Sequence, residues 1–179
     1  MTGSDEPAPD ADRLWHALVD AERSVRGRRA EIYGLGAAAR TEILSSALTS
    51  ASNWDRASAL TFLRSFPEDV PALLPEILNL AMSHRWASEA REAVAAGPRN
   101  DVIDRLRSQI TSRLPGSDAD DYRRLAEVLV RVEAWDLLAE LIRSALDHAE
   151  EDFTEIASDF SSVYRQATQG VTKAPEREP

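Results

Sequence analysis

A unit of about 32 residues recurs in the middle of this 179-residue chain. Asp69-Val70 opens one unit, and Asp101-Val102 opens the next one 32 positions later. A tryptophan precedes each opening at the same offset, first Trp54 and then Trp86. The openings are followed by apolar residues at helical spacing: Leu74, Leu78 and Met82, then Leu106, Ile110 and Leu114. Repeats of this length are typical of helical hairpins that stack and present an extended surface.

A third unit follows if Val102, Leu106 and Ile110 are aligned with Leu138, Ile142 and Leu146. This alignment has an offset of 36 residues, and we assign the additional length to the loop at Pro115-Gly116. The repetition is therefore approximate.

Composition and periodicity together predict an all-α fold. Only 7 glycines are present and 43% of the residues are hydrophobic, which favours helices around a packed core. Apolar stripes predict about nine helices between residues 10 and 167, arranged as a short α-solenoid of stacked antiparallel hairpins. The segments 1–9 and 168–179 are polar, and we expect both to be disordered tails.

The repeated features resemble those of HEAT-like repeats, a family of α-helical hairpins stacked into a curved solenoid. The resemblance covers about residues 53–149 and rests on the two Asp-Val pairs, the two tryptophans, and Pro67 and Pro98. Members of that family usually carry a basic residue in the second helix, a place that Arg105 takes in one unit and Leu73 does not take in the other. The resemblance implies a scaffold that binds proteins, peptides or occasionally nucleic acid.

Helical spacing leaves the polar positions of successive second helices on one surface. We expect this surface to bind a partner through Glu76, Asn79, Arg105, Gln109, Glu140 and Arg143. The chain would then act without catalysis, as a protein-interaction scaffold or adaptor.

Two other groups of residues have competing interpretations. Arg23, Arg26, Arg28 and Arg29 form a candidate anion-binding cluster, or a charged helix face paired with Asp20, Glu22 and Glu31. The tryptophans Trp54, Trp86 and Trp135 are candidate recognition anchors, but their positions at helix starts favour packing between hairpins.

No motif in the sequence frames a catalytic, metal or cofactor site. The three histidines, His16, His84 and His148, are far apart, and no cysteine is present. His148 lies near several acidic residues, which we interpret as a solvated helix junction. The run from Asp118 to Asp121 superficially resembles the metal motifs of isoprenoid enzymes, but carboxylates at a helix N-terminus account for it better. We therefore expect no enzyme activity, no metal and no cofactor.

The net charge of −10 argues against broad nucleic-acid binding and fits a basic protein partner. It also motivates an alternative function, an acidic immunity or inhibitor protein that neutralises a basic toxin or nuclease. A HEAT-like DNA glycosylase is a further alternative that the acidic charge disfavours. Twenty arginines against one lysine are typical of a GC-rich bacterial genome. The acidic N-terminus and the lack of a long apolar run favour a cytoplasmic location without membrane contact.

Overall fold

The computed structural model describes residues 10–169, and within that range the secondary structure consists of helices without any strand. The expected all-α fold is therefore confirmed. The described helices are α1 (Ala11–Tyr33), α2 (Ala37–Thr49), α3 (Asn53–Ser65), α4 (Leu74–Ala81), α5 (Ala87–Ala96), α6 (Arg99–Arg113), α7 (Ala119–Arg131), α8 (Trp135–Leu146) and α9 (Glu151–Gln169), with a short 3-10 helix at Pro67–Asp69. The helix α9 ends two residues inside the segment assigned to the C-terminal tail, whose remainder lies outside the described residues, as does the N-terminal tail.

Three helix starts are defined by residues at or next to their first turn. The N-cap of α3 is Ser52, whose hydroxyl accepts a hydrogen bond from the backbone N–H of Asp55 at 3.3 Å, and Asn53 is already the first helical residue. The helix α6 follows Pro98 and begins without a side-chain cap, so neither Asn100 nor Asp101 caps it. Pro75 lies in the first turn of α4, where its missing N–H removes no helical hydrogen bond.

Residues 10–169 divide into two compact units, 10–40 and 41–169. In the first unit no residue of α1 is buried. The guanidinium of Arg40 donates to the backbone oxygens of Tyr33 at 3.1 Å and Leu35 at 3.0 Å, which satisfies carbonyls at the C-terminal end of α1.

The second unit, which we call the helical body (residues 41–169), contains the described core. Its odd-numbered helices contact one another in order: α3 contacts α5, α5 contacts α7, and α7 contacts α9. The helix α4 contacts α5 and α6, and α8 lies between α7 and α9. Residues with at most 1% exposure come from both sets of helices and include Leu63, Leu74, Leu78, Val94, Leu106, Leu129 and Leu138.

The repeat in the helical body has a period of 32 residues through its third unit. The helices α5, α7 and α9 begin at Ala87, Ala119 and Glu151, which are 32 residues apart. The buried residues follow the same spacing: Val70, Val102 and Ala134 form one set, and Leu74, Leu106 and Leu138 form another.

The 36-residue alignment was therefore wrong. It sets Leu146, which is 56% exposed, against the buried Ile110. The apolar spacing of Leu138, Ile142 and Leu146 suggested the alignment, and no Asp-Val pair opens the third unit to correct it, since Glu133-Ala134 occupies that place.

Arginine side chains bind the carbonyl ends of helices in neighbouring units. The guanidinium of Arg99 donates to the backbone oxygens of Val132 at 3.0 Å and Glu133 at 2.9 Å, at the end of α7. Arg124 donates in the same way to the backbone oxygen of Met82, at the end of α4. A planar guanidinium satisfies two carbonyls at once and places positive charge at the negative end of a helix, which lysine does less well.

We expect Glu133→Gly to raise the free energy of unfolding by about 0.5–1 kcal/mol. Glu133 has a φ of 55° at the C-terminal end of α7, a conformation that glycine adopts without steric cost. The backbone N–H groups of Glu133 and Ala134 donate to Val130 and Leu129 at 3.1 and 2.9 Å, so the turn itself does not need the side chain. Urea unfolding measures the change, and Glu133→Ala is the control that removes the side chain but keeps the strain. Equal stability of the two variants would contradict this account.

Candidate functional site

Three of the six residues expected to bind a partner instead join helices of the chain to one another. The hydroxyl of Ser45 donates to Glu76 Oε1 at 2.9 Å, which ties α2 to α4. Asn79 Oδ1 accepts from Arg113 at 2.8 Å, and Glu140 Oε1 accepts from Arg107 at 2.9 Å. These contacts link α4 to α6 and α6 to α8.

The other three residues remain available for contact with another molecule. Arg105 and Arg143 are exposed, and Gln109 is half-buried. Within residues 10–169, none of their side chains forms a hydrogen bond or an ion pair with another residue. Of the six residues expected to bind a partner, three therefore form contacts within the chain and three are available to another molecule.

An open groove of about 710 Å³ lies between α6, α8 and α9 and includes two of the expected residues, Glu140 and Arg143. It is lined by Arg107, Asp136, Ala139, Glu140, Ile142, Arg143, Ser161 and Thr168. We call it the α6–α8–α9 groove. Sequence analysis missed the contributions of Arg107 and of the two hydroxyl residues from α9. The separation of Arg107 from Glu140, 33 residues, is close to one repeat, and this spacing is a signal that could have found the pair.

The groove carries charges of both signs. Arg107 and Glu140 neutralise each other, whereas Asp136 and Arg143 have no ion-pair partner among residues 10–169. Ala139 and Ile142 supply apolar surface beside them. The groove thus offers one carboxylate, one guanidinium and two hydroxyls as polar groups. It contains no paired acid and base of the kind needed for proton transfer.

Ion pairs between charged residues are more numerous on the odd-numbered helices than in the α6–α8–α9 groove. Arg91 of α5 pairs with Glu127 of α7, and Arg123 of α7 pairs with Asp159 of α9 at 3.1 Å. Arg131 of α7 donates two hydrogen bonds of 2.8 Å to the carboxylate of Glu92 on α5. These bonds lower the pKa of the Glu92 carboxyl and raise the pKa of the Arg131 guanidinium. Each pair joins helices of consecutive units.

The arginines of the candidate anion-binding cluster do not form one patch. All four lie on α1, but Arg26 and Arg28 are two residues apart and so point to nearly opposite sides of the helix. Arg23 pairs with Asp20 at 3.1 Å and Arg28 with Glu31 at 2.8 Å, both within α1. Arg26 and Arg29 have no such partner in the described part of the chain.

The tryptophans differ in their surroundings. Trp86 is 8% exposed and packs in the core, as its position at a helix start suggested. Trp135 is half-buried, and its ring stacks on Tyr164 at 5.8 Å between ring centroids. Trp54 is 84% exposed, so the expectation that it packs between hairpins was wrong. Its side chain points to solvent from the first turn of α3, where the helical body has no preceding odd-numbered helix to cover it.

His148 and Asp118 have structural roles. The Nε2 atom of His148 is hydrogen-bonded to the hydroxyl of the buried Tyr122 at 3.0 Å, and its ring stacks on Phe153. Asp118 is the N-cap of α7 and accepts from the backbone N–H of Asp121 at 2.9 Å. Between residues 10 and 169, no group of three histidine or acidic residues is arranged to hold a metal ion.

Comparison with protein-family models, with curated proteins and with solved structures found no match to any of them. None of the helices in the described range has both the length and the apolar character required to cross a membrane.

Proposed function

We propose that the helical body is a short α-solenoid of HEAT-like hairpins and acts without catalysis as a protein-interaction scaffold. The stacked arrangement is supported by the ordered contacts from α3 through α5 and α7 to α9 and by helix starts spaced 32 residues apart. Arginine contacts between consecutive units support it as well. Such a body holds its exposed surface in one conformation, so little conformational entropy is lost when a partner binds.

The α6–α8–α9 groove is the observation that carries this proposal. Its charges are held in place by the Arg107–Glu140 pair, while Asp136 and Arg143 are available to a partner. A protein segment with charges complementary to Asp136 and Arg143 would bind there, with Ile142 contacting its apolar part.

Affinity capture from the native host tests this function. We expect a protein captured by the wild-type chain to be lost with Arg143→Glu, because the substitution reverses the free cationic group of the groove. The matched control is Arg64→Glu, which makes the same change of charge at an exposed position on α3. Mass spectrometry identifies the captured protein, and circular dichroism verifies the fold of each variant. Equal capture by all three proteins would contradict the proposal.

The charge distribution favours a second candidate, an acidic immunity or inhibitor protein. Residues 1–40 contain seven acidic and six basic residues, so nearly all of the net charge of −10 falls on residues 41–179. A basic toxin or nuclease would be attracted to that part of the chain. Binding that weakens steeply as salt increases favours this candidate, and binding indifferent to salt counts against it.

A further inference from the structure

The helix α1 carries an apolar stripe that no contact in the described structure buries. The stripe consists of residues that are alternately three and four positions apart, which is the pattern of a coiled-coil seam. Its members are Ala11, Leu14, Leu18, Ala21, Val25, Arg28 and Ile32. Leu14, Leu18 and Val25 are 56%, 52% and 48% exposed. A single helix with this much exposed apolar surface is only marginally stable in water.

The charges of α1 change sign along its length. Residues 10–20 contain three aspartates and one arginine, whereas residues 21–33 contain four arginines and two glutamates. A parallel pair of α1 helices would therefore set each half beside its like-charged equivalent. An antiparallel pair sets the acidic half of one helix beside the basic half of the other, and it also opposes the two helix dipoles.

We propose that α1 pairs with α1 of a second copy of the chain as an antiparallel coiled coil, an interaction that goes beyond the scaffold function of the helical body. A register centred between Val19 and Asp20 sets Leu14 against Val25 and Leu18 against Ala21 of the second copy. The same register brings Asp10 level with Arg29 and beside Arg28. It also brings Arg13 level with Arg26, so the register rests on the apolar pairs and on the Asp10–Arg29 pair and not on every charged residue.

The remaining charge of the chain is consistent with the antiparallel direction. Nearly all the net negative charge follows the C-terminal end of α1 in the sequence. In an antiparallel pair of this register these two acidic parts attach at opposite ends of the coiled coil, about 40 Å apart along its axis. In a parallel pair they would attach at the same end and repel each other.

Cysteine cross-linking tests the pairing, because the chain contains no cysteine of its own. We expect full-length Leu14→Cys mixed with a size-tagged Val25→Cys protein to give a cross-linked product of mixed size with a short bis-maleimide. Neither variant alone should cross-link, because each thiol lies about 16 Å along the axis from its own equivalent. The matched control is the pair His16→Cys and Arg23→Cys, which are level in the same register but lie on the outer side of the helices.

Sedimentation of the unmodified chain provides an independent measurement. We expect a dimer that becomes a monomer in the double variant Leu14→Asp and Leu18→Asp, with the unfolding transition of the helical body retained. Cross-linking of Leu14→Cys with itself would overturn the antiparallel direction. A wild-type chain that sediments as a monomer would overturn the proposal. The apolar stripe of α1 would then be covered by residues of the same chain or by a different protein.

Discussion

Replacing Leu138 with alanine is expected to lower the free energy of unfolding by about 2–5 kcal/mol. Leu138 is fully buried on α8, where the 32-residue period places it in the same position as Leu74 and Leu106. Truncation removes apolar contacts and leaves a cavity that closely packed neighbours cannot fill. Urea unfolding followed by circular dichroism measures the loss.

Leu146→Ala is the matched control, because it makes the same chemical change on the same helix. Leu146 is 56% exposed, so we expect its truncation to change stability by less than about 0.5 kcal/mol. The 36-residue alignment would make Leu146 equivalent to the buried Ile110 and would predict a large loss there. A loss at Leu146 as large as that at Leu138 would therefore contradict the 32-residue period.

The helices themselves could be predicted from the sequence because their signals are local. Apolar spacing predicted about nine helices, and residues 10–169 contain nine α-helices. The caps were less predictable, since Ser52 and Asn53 are adjacent and both are good N-cap residues. Only the backbone conformation decides which of them accepts the hydrogen bond.

The repeat register and the candidate site depend on tertiary packing, which the sequence pattern does not encode directly. Apolar spacing alone led to the 36-residue alignment of the third unit, whereas burial at Ala134 and Leu138 gives a spacing of 32 residues. Glu76, Asn79 and Glu140 satisfied helical spacing for exposed positions, but each meets a polar side chain of another helix. Long-range ion pairs of this kind become visible only when the register between units is known.

The exposure of Trp54 on α3, the first odd-numbered helix of the helical body, could not be predicted from the sequence either. Trp54 and Trp86 occupy similar positions at helix starts, yet they are 84% and 8% exposed. The helix α5 contacts both α3 and α7, whereas α3 is the first helix of that series. Similar residues in a repeat therefore differ in burial according to whether their unit has neighbours on one side or on both.

Gly97→Ala is expected to lower the free energy of unfolding by about 1–3 kcal/mol. Gly97 lies between α5 and α6 with φ −65° and ψ 161°, a conformation that alanine adopts freely, so no backbone strain is involved. The added Cβ would lie 2.7 Å from Val102 Cγ2 and 2.8 Å from Val70 Cγ1. Both valines are buried, so neither can move aside without disturbing its neighbours.

Two further variants separate this steric effect from a general intolerance of alanine. Gly36→Ala is the matched control, because its added Cβ would have no atom within 4 Å and its stability should change little.

Val70→Ala removes one of the two clashing side chains, so the double variant with Gly97→Ala should be more stable than the sum of the single losses predicts. Thermal or urea unfolding of the four proteins gives the coupling free energy between positions 70 and 97. If the stability losses of the two single variants are strictly additive, the close approach of Gly97 to Val70 does not determine which residues position 97 accepts.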